Sequence, residues 1–268
     1  MIKCIARLQK RLMLGRPDAS VALQLIHTRV LDKPVIFCVN MENDPVQRNH
    51  RRGGFYEQSE LKALRSIFPK GGTFVDIGAN VGNHTLFAAM FLGAGRVIPF
   101  EPNPQAFELL VQNVLVNRLS ERVDISKLGV GLSDAHSAGF AMQKRERNLG
   151  AAKMLEGQGS LEVFRADDLL AEETPDFIKI DVEGMEMRVL DGLSGLLARC
   201  RPVMMVEVDN EVEDQFMNWV AEAGYGVVAT HARYRLNKNH VIADKADVAR
   251  LQGKLTKTAL GPKTEATA

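Results

Sequence analysis

Cysteine is scarce in this chain: Cys4, Cys38 and Cys200 lie far apart and form no CxxC pair. That excludes a disulfide framework and a cysteine zinc site, and it fits a reducing compartment. Charge of one sign is missing too, since 34 Lys and Arg face 33 Asp and Glu for a formal net charge of +1. Such a balance argues against broad electrostatic contact with nucleic acid and leaves only a local basic patch open. No apolar run approaches the length needed to cross a bilayer, and no internal repeat is present. The opening residues MIKCIARLQKRLMLGRP are basic and amphipathic, but they lack a signal-peptide core and a small-residue cleavage site. They predict an N-terminal helix; reversible contact with an acidic membrane surface is the sharper alternative. The expected location is cytoplasmic.

What is there is ordinary globular material. With 268 residues, 46% hydrophobic and 25% charged, the chain suits one sizeable α/β domain with extra elements at its ends. Residues 1–55 are expected to hold the N-terminal helix, then short strands and loop broken by Pro34, Pro45 and Gly53-Gly54. The core is expected over 56–252, and a disordered tail over 253–268. A helix is predicted over Gln58–Ile67. Strand, turn and helix then alternate. Strands are predicted over Thr73–Ile77, Arg96–Phe100, Val123–Val130, Phe177–Asp181 and Val203–Val208. Helices are predicted over Asn83–Phe91, Pro104–Asn117, Glu183–Leu197 and Val212–Ala223. Alternation of this kind implies an α/β fold with a mainly parallel sheet and helices on both faces. The loops after the strands then gather along one edge. Between Ser137 and Ala166 the alternation falters: AGFAMQ and LEVFRA predict two short strands around KRERNLGAAKMLEGQGS, read either as a loop over the site or as a surface insertion.

Four segments carry chemistry. FVDIGANVG, Phe74 to Gly82, reads as a buried strand, an acid near its end and a glycine turn into a helix. Gly78 and Gly82 let the backbone bend sharply and a ligand approach, and the helix start offers free N–H groups. Asn80 stands where a dinucleotide GxGxxG motif has its middle glycine, and Asp76 would oppose a pyrophosphate. The same charge suits a ligand carrying an ammonium and a sulfonium. Glu101, closing RVIPF, is placed to accept both hydroxyls of a ribose, although an acid at a helix start is common on other grounds. The turn Gly129 to Asp134 borders the expected adenine position, with Leu132 to pack on a ring and Ser133 or Asp134 to bond its amino group. In DFIKIDVEGMEMRVLDGL, Lys179 and Asp181 share one face of an interior strand, so the lysine needs a carboxylate partner. Asp76 and Glu207 are the expected partners.

The ordered set FYEQSELKAL, VDIGANVGNHT, FEPNP, GLSD, RADDL, FIKIDVEGMEMRVLDG and VEV, spanning Gly54 to Val208, resembles the FkbM-type methyltransferases, a branch of the Rossmann-like S-adenosylmethionine enzymes. The resemblance implies a Rossmann-like methyltransferase fold and O-methylation of a hydroxyl on a sugar, polyketide or related metabolite, with S-adenosyl-L-methionine as the cofactor. It implies that Tyr56 and Glu57 approach the cofactor, that Asp76, Gly78, Asn80 and Gly82 form its methionine-side turn, and that Glu101 takes the ribose. Asp181 and Glu183 would lie close to the transferring methyl. The basic insertion Lys144 to Arg147 departs from the family pattern and bears on the acceptor. Candidate bases for the hydroxyl proton are Asp181, Glu183, His84 and His231. An NAD-dependent oxidoreductase is the competing enzyme, with GxxxG spacing and Asp76 against it. A nucleic-acid methyltransferase lacks support, since DVEG stands where (D/N)PPY would. A cofactor-binding partner without catalysis is opposed by the joint presence of Asp76, Glu101, Asp181 and Glu183. No dedicated metal site is expected, although Asp181, Glu183 and Glu207 together resemble an oxygen donor set.

Overall fold

A computed structural model describes residues 22–145, 147–232 and 235–259. The predicted N-terminal helix lies outside the described residues. The described chain opens on a hairpin of β1 (Gln24–Val30) and β2 (Lys33–Val39). Its two-residue turn, Leu31-Asp32, takes positive φ at both positions, which matches the twist of the strands it joins. Helix α1 (Pro45–Arg51) follows, in a stretch expected to hold short strands and loop. Pro45 starts that helix instead of breaking it, because the Asp44 side chain caps Gln47 N and proline suits a first turn. Helix α2 (Gln58–Ile67) forms as predicted, burying Leu61, Leu64 and Ile67.

The core then runs β3 (Thr73–Ile77), α3 (Asn83–Phe87) with a wider π turn to Leu92, β4 (Arg96–Phe100) and α4 (Pro104–Val116). A small lobe follows: β5 (Gly131–Ser133), β6 (Ser137–Met142), β7 (Met154–Leu155), β8 (Leu161–Arg165) and α5 (Ala166–Leu169). The core resumes with β9 (Phe177–Ile180), α6 (Glu186–Gly192), α7 (Ser194–Cys200), β10 (Val203–Asp209) and α8 (Glu213–Glu222). It closes with β11 (Tyr225–His231), β12 (Asn237–Asp244) and α9 (Val248–Ala259).

Six strands form the main sheet in the order β11-β12-β10-β9-β3-β4. Strands β10, β9, β3 and β4 are parallel, and β12 is antiparallel to both its neighbours. Side chains alternate across it. Phe74 and Phe177 stack on one face, 5.2 Å between ring centroids, in the core shared with α2, α3, α4 and α9. Val75, Ile77, Ile178 and Ile180 face the other way, into the core beneath α6, α7 and α8. The fold is α/β with a mainly parallel sheet and helices on both faces.

Three expectations need correction. The strand predicted over Val123–Val130 is a single bridge from Val123 to Val97, then a 3-10 turn over Ile125–Lys127. The Asp124 side chain accepts from Ser126 N and caps that turn, and the buried pair Ile125 and Leu128 is spaced for a helical turn, not for strand alternation. The helix predicted from Glu183 starts at Glu186, because Glu183 and Gly184 both take positive φ. The unstructured tail expected from Gly253 is still helix as far as Ala259; Leu251 is buried in the core and Leu255 packs against it, one turn apart.

Candidate active site

Strands β3, β9 and β10 end together at one edge of the sheet, and their following loops build a cleft. Gly78 leaves β3 at φ 77°, its N–H donating to the Phe100 carbonyl at 2.9 Å. A Cβ on Gly78 would stand 1.7 Å from the Asp181 carbonyl oxygen. The glycine is therefore required by the close approach of the segment that follows β9. Asn80 follows in the left-handed region, and its N–H donates to Glu101 Oε2 at 2.7 Å. Glu101 Oε1 accepts from Asn103 N at 2.8 Å. Burial pushes the Glu101 carboxyl up to about 7 against the pull of those two N–H groups.

On β9, Lys179 donates to the Gly78 carbonyl at 2.9 Å and to Asp181 Oδ2 at 3.0 Å, with Asp76 Oδ1 3.8 Å away. Burial alone would lower the lysine, but Asp181 and Asp76 outweigh it and the net direction is upward. Glu183 sits just beyond, at φ 52°, a backbone region that costs a non-glycine residue about 1–2 kcal/mol. Burial, then the charges of Asp181 and Asp209, push its carboxyl up to about 7. Glu207 on β10 is raised further, first by burial and then by Asp181 and Glu57, while Asn237 Nδ2 donates to its Oε1.

The wall opposite comes from the segment ahead of α2. Asn83, at the start of α3, clamps the Tyr56 backbone: Tyr56 N donates to Oδ1 at 2.9 Å and Nδ2 donates to the Tyr56 carbonyl at 3.2 Å. His50, stacked on Phe37 at 4.2 Å, holds the same Oδ1 from 3.2 Å. The clamp sets Glu57 over the cleft, with its Oε2 3.5 Å from His84 Nε2. Burial, aided by Lys179, drives the His84 imidazole well below its ordinary range, so it is neutral.

Two cavities meet at this edge. One, about 590 Å³ with the open space above it, is lined by Phe100, Val130, Leu132, Met142, Leu149 and Met154 together with Glu101. The second is larger, about 1430 Å³, and its lining includes most of the charged side chains of the cleft, Glu57, Lys153, Lys179 and Glu207 among them. Gly78, Asn80, Gly150, Asp181 and Glu183 line both, so the two acids stand at the junction. The insertion after β6 roofs this junction: Asp44 Oδ2 accepts from Leu149 N at 2.9 Å and ties the roof to α1.

Of the residues singled out from sequence, Glu57, Gly78, Asn80, His84, Glu101, Leu132, Asp181 and Glu183 line the cleft. Others do not. Asp76 is fully buried beneath the floor, where Thr85 Oγ1 donates to its Oδ2 at 2.6 Å; its charge is directed at Lys179 rather than at a ligand. Gly82 packs on Leu110. Ser133 is buried and donates to Asp134, which turns outward to Arg188 at 3.0 Å, so neither reaches the expected adenine position. His231 ends β11 away from both cavities. Among the described residues no group of three or more His, Cys, Asp or Glu has metal-holding geometry, Asp181, Glu183 and Glu207 included. Sequence reasoning missed Asp44, Asn83 and Leu149. Asp44 alone carried a local signal, an acid before proline with a glutamine three positions on.

The family model for the methyltransferase FkbM domain matches residues 76–227, more than half of the chain. The hexuronic acid methyltransferase AglP of Haloferax volcanii is 27% identical over 147 residues, covering 53% of this chain and 58% of that protein. Methyltransferase 1 of Beauveria bassiana is 29% identical over 150 residues, covering 47% of this chain and 60% of that protein. The alignments thus cover about three fifths of the length of these curated relatives. Among solved structures, methyltransferase FkbM from Methylobacillus flagellatus KT aligns with a TM-score of 0.46 at 17% identity, over 64% of this chain and 43% of that chain. The family match takes in the turns after β3, β4, β9 and β10 that line the cleft, and the chain belongs to the FkbM methyltransferase family.

Proposed function

We propose that the protein is an S-adenosylmethionine-dependent O-methyltransferase acting on a hydroxyl of a sugar, polyketide or related metabolite. The observation that carries this reading is the junction of the two cavities. A slot lined by Phe100, Leu132, Met142 and Met154 together with Glu101 adjoins a wider chamber lined by most of the charged side chains, and Asp181 and Glu183 line both. The residues fit the cofactor in three respects. Leu132, Met142 and Met154 offer apolar faces for an adenine ring. Glu101 has lone pairs left after its two backbone bonds, enough to accept two ribose hydroxyls. The acids at the junction suit the ammonium and sulfonium beyond the ribose.

When bound, the cofactor supplies a methyl group already activated by its sulfonium. The protein's share is alignment, exclusion of water and handling of one proton. Leu149 and Gly150 line the slot beside the junction, where they would shield the transferring methyl from water. Glu183, raised to about 7, is matched to taking the acceptor's proton near neutral pH. His84, neutral and buried in the chamber wall, is the weaker candidate, because burial and Lys179 both oppose its protonation. Lys179 fixes the Asp181 carboxylate and the Gly78 carbonyl in place.

The name of the Haloferax relative supports a sugar as the acceptor class. The nicotinamide alternative has less support: the turn after β3 places Asn80 N against Glu101 and leaves no glycine cradle for a pyrophosphate. Calorimetric titration with S-adenosylhomocysteine, followed by mass-spectrometric screening of hydroxyl acceptors for methyl gain, tests the proposal. Tight S-adenosylhomocysteine binding with a methylated product is expected. Binding of NADH in its place would overturn the proposal.

A further inference from the structure

Helix α1 lies ahead of the residues matched by the family model, yet it is tied to both walls of the cleft. At its start the Asp44 cap holds the roof through Leu149 N. Toward its end His50 is fully buried, its ring stacked on Phe37 and edge-on to Phe55. That ring lines neither cavity. Its Nε2 stands 3.2 Å from Asn83 Oδ1.

Only one arrangement of donors satisfies that contact. Asn83 faces the Tyr56 N–H and the Tyr56 carbonyl at once, at 2.9 and 3.2 Å. A backbone N–H only donates and a carbonyl only accepts, so Oδ1 is the atom toward Tyr56 N and Nδ2 the atom toward the carbonyl. His50 therefore meets an acceptor, and its Nε2 must carry the proton. This bond locks the amide: turned over, Asn83 would set Nδ2 against the Tyr56 N–H and the His50 N–H together. Burial pulls the His50 imidazole down to about 4, so the neutral ring that donates from Nε2 persists across neutral pH. The Tyr56 carbonyl belongs to the peptide unit that leads into Glu57. Glu57 stands at φ 54°, a left-handed backbone that a non-glycine residue keeps only where its surroundings impose it. Both Tyr56 and Glu57 line the chamber alongside Gly78, Asn80 and Asp181.

We propose, resting on the methyl-transfer reading above, that His50 is a positioning residue for cofactor binding, which acts through Asn83 to hold the Tyr56–Glu57 wall against the cofactor. His50 itself touches no ligand. Its ring supplies two separable things, an apolar face to Phe37 and one N–H to Asn83. The face packs α1 on the hairpin, and the N–H sets the wall. If the ring served packing alone, its N–H could be lost without effect on the cleft.

Two substitutions separate the roles. His50→Phe keeps a ring on Phe37 and removes the N–H, whereas His50→Gln gives up the stack and can return an N–H from its side-chain amide. Calorimetric titration of the full chain with S-adenosylhomocysteine at pH 7, alongside thermal melts, reads both. His50→Phe should melt close to wild type yet bind S-adenosylhomocysteine about tenfold more weakly, roughly the effect of one lost hydrogen bond. His50→Gln should melt lower but bind within about threefold of wild type, since the bond is restored. Added to Asn83→Ala, His50→Phe should weaken binding no further, because it acts through that side chain. Wild-type affinity in His50→Phe overturns the proposal, as do affinities that follow the melting temperatures across the variants, or losses that add in the double variant. Should His50→Gln not fold, His50→Phe and the double variant still decide. The wild-type titration reports on the methyltransferase reading, so failure of one is told from failure of the other.

Discussion

Replacing Glu101 with glutamine probes cofactor recognition and cleft electrostatics with one atom changed. The carboxylate accepts Asn80 N and Asn103 N on separate oxygens, at 2.7 and 2.8 Å. Glutamine has one oxygen, so its amide nitrogen must face one of those N–H groups donor to donor, at a cost of about 1–3 kcal/mol. An opposing gain comes from charge. The carboxyl is raised by burial from 4.5 to about 7. Because the folded value lies above the unfolded one, the full stability is present below about pH 4.5 and is lost as pH rises through about 7. That shift corresponds to about 3 kcal/mol, a penalty the neutral amide does not carry. The wild type should therefore lose stability between pH 4.5 and 7 through this group, and the variant should lack that component. At pH 8 the two effects nearly cancel, and urea midpoints should be close. Binding separates them. If ribose hydroxyls need the ionised carboxylate, S-adenosylhomocysteine should bind the wild type roughly tenfold more weakly at pH 6 than at pH 8. The variant should bind it roughly ten- to a hundredfold more weakly than wild type at pH 8, the loss of one charge-assisted bond, and show a flatter pH profile. Calorimetry at three pH values reads both. Unchanged affinity in the variant refutes the ribose role, and a wild-type affinity independent of pH refutes the raised carboxyl.

The roof of the junction can be released without unfolding α1. In Asp44→Asn the Oδ1 still caps Gln47 N, but the amide nitrogen faces Leu149 N and cannot accept from it; S-adenosylhomocysteine should leave about tenfold faster in stopped-flow displacement, as expected for about 1.4 kcal/mol lost, with little change in melting temperature. Gly78→Ala should prevent folding or cost well over 4 kcal/mol, since its Cβ meets the Asp181 carbonyl oxygen at 1.7 Å. Gly71→Ala, at similar φ with nothing within 4 Å, should cost only about 1–2 kcal/mol in a urea melt. Lys179→Met leaves Asp76 buried without its cation, and a loss of about 3–5 kcal/mol is expected at neutral pH; a smaller loss at pH 4 than at pH 8 would show that the uncompensated charge is the cause. Asn83→Ala unclamps Tyr56 and should weaken S-adenosylhomocysteine binding more than it lowers the melting temperature; equal effects on both would mean that the clamp is only structural.

The alternating core was legible from sequence because each central strand is a short apolar run ending at an acid or a glycine. Phe74 to Ile77, Val97 to Phe100 and Ile178 to Ile180 are buried on both faces, so no other element accommodates those runs. Val123 and Ile125 misled the prediction because two β-branched residues two apart fit strand alternation, while Ile125 and Leu128, three apart, fit the turn that the Asp124 cap sets. At the site, residues close in sequence to the glycine turn were found: Gly78, Asn80, His84 and Glu101 all line the cleft. Asp76 was legible as an acid in the right strand, but a one-residue alternation set its side chain under the floor. Asp44, Asn83 and Leu149 were not legible as a group. Their bonds span 105 and 27 residues of chain, and neither an asparagine nor a leucine announces so distant a partner.

The buried lysine joins the fold to the chemistry. Parallel pairing sets Asp76 and Lys179 at the same register on β3 and β9, so the ion pair forms wherever those strands align correctly. A slip of one residue would turn Lys179 into the apolar core and leave both charges unpaired. The same ammonium then reaches past Asp76 to the Gly78 carbonyl and to Asp181, the two places where the main chain leaves the sheet. One side chain therefore checks the strand register and fixes the edge at which both cavities meet. It also opposes part of the burial that raises the Glu207 carboxyl on the neighbouring strand β10.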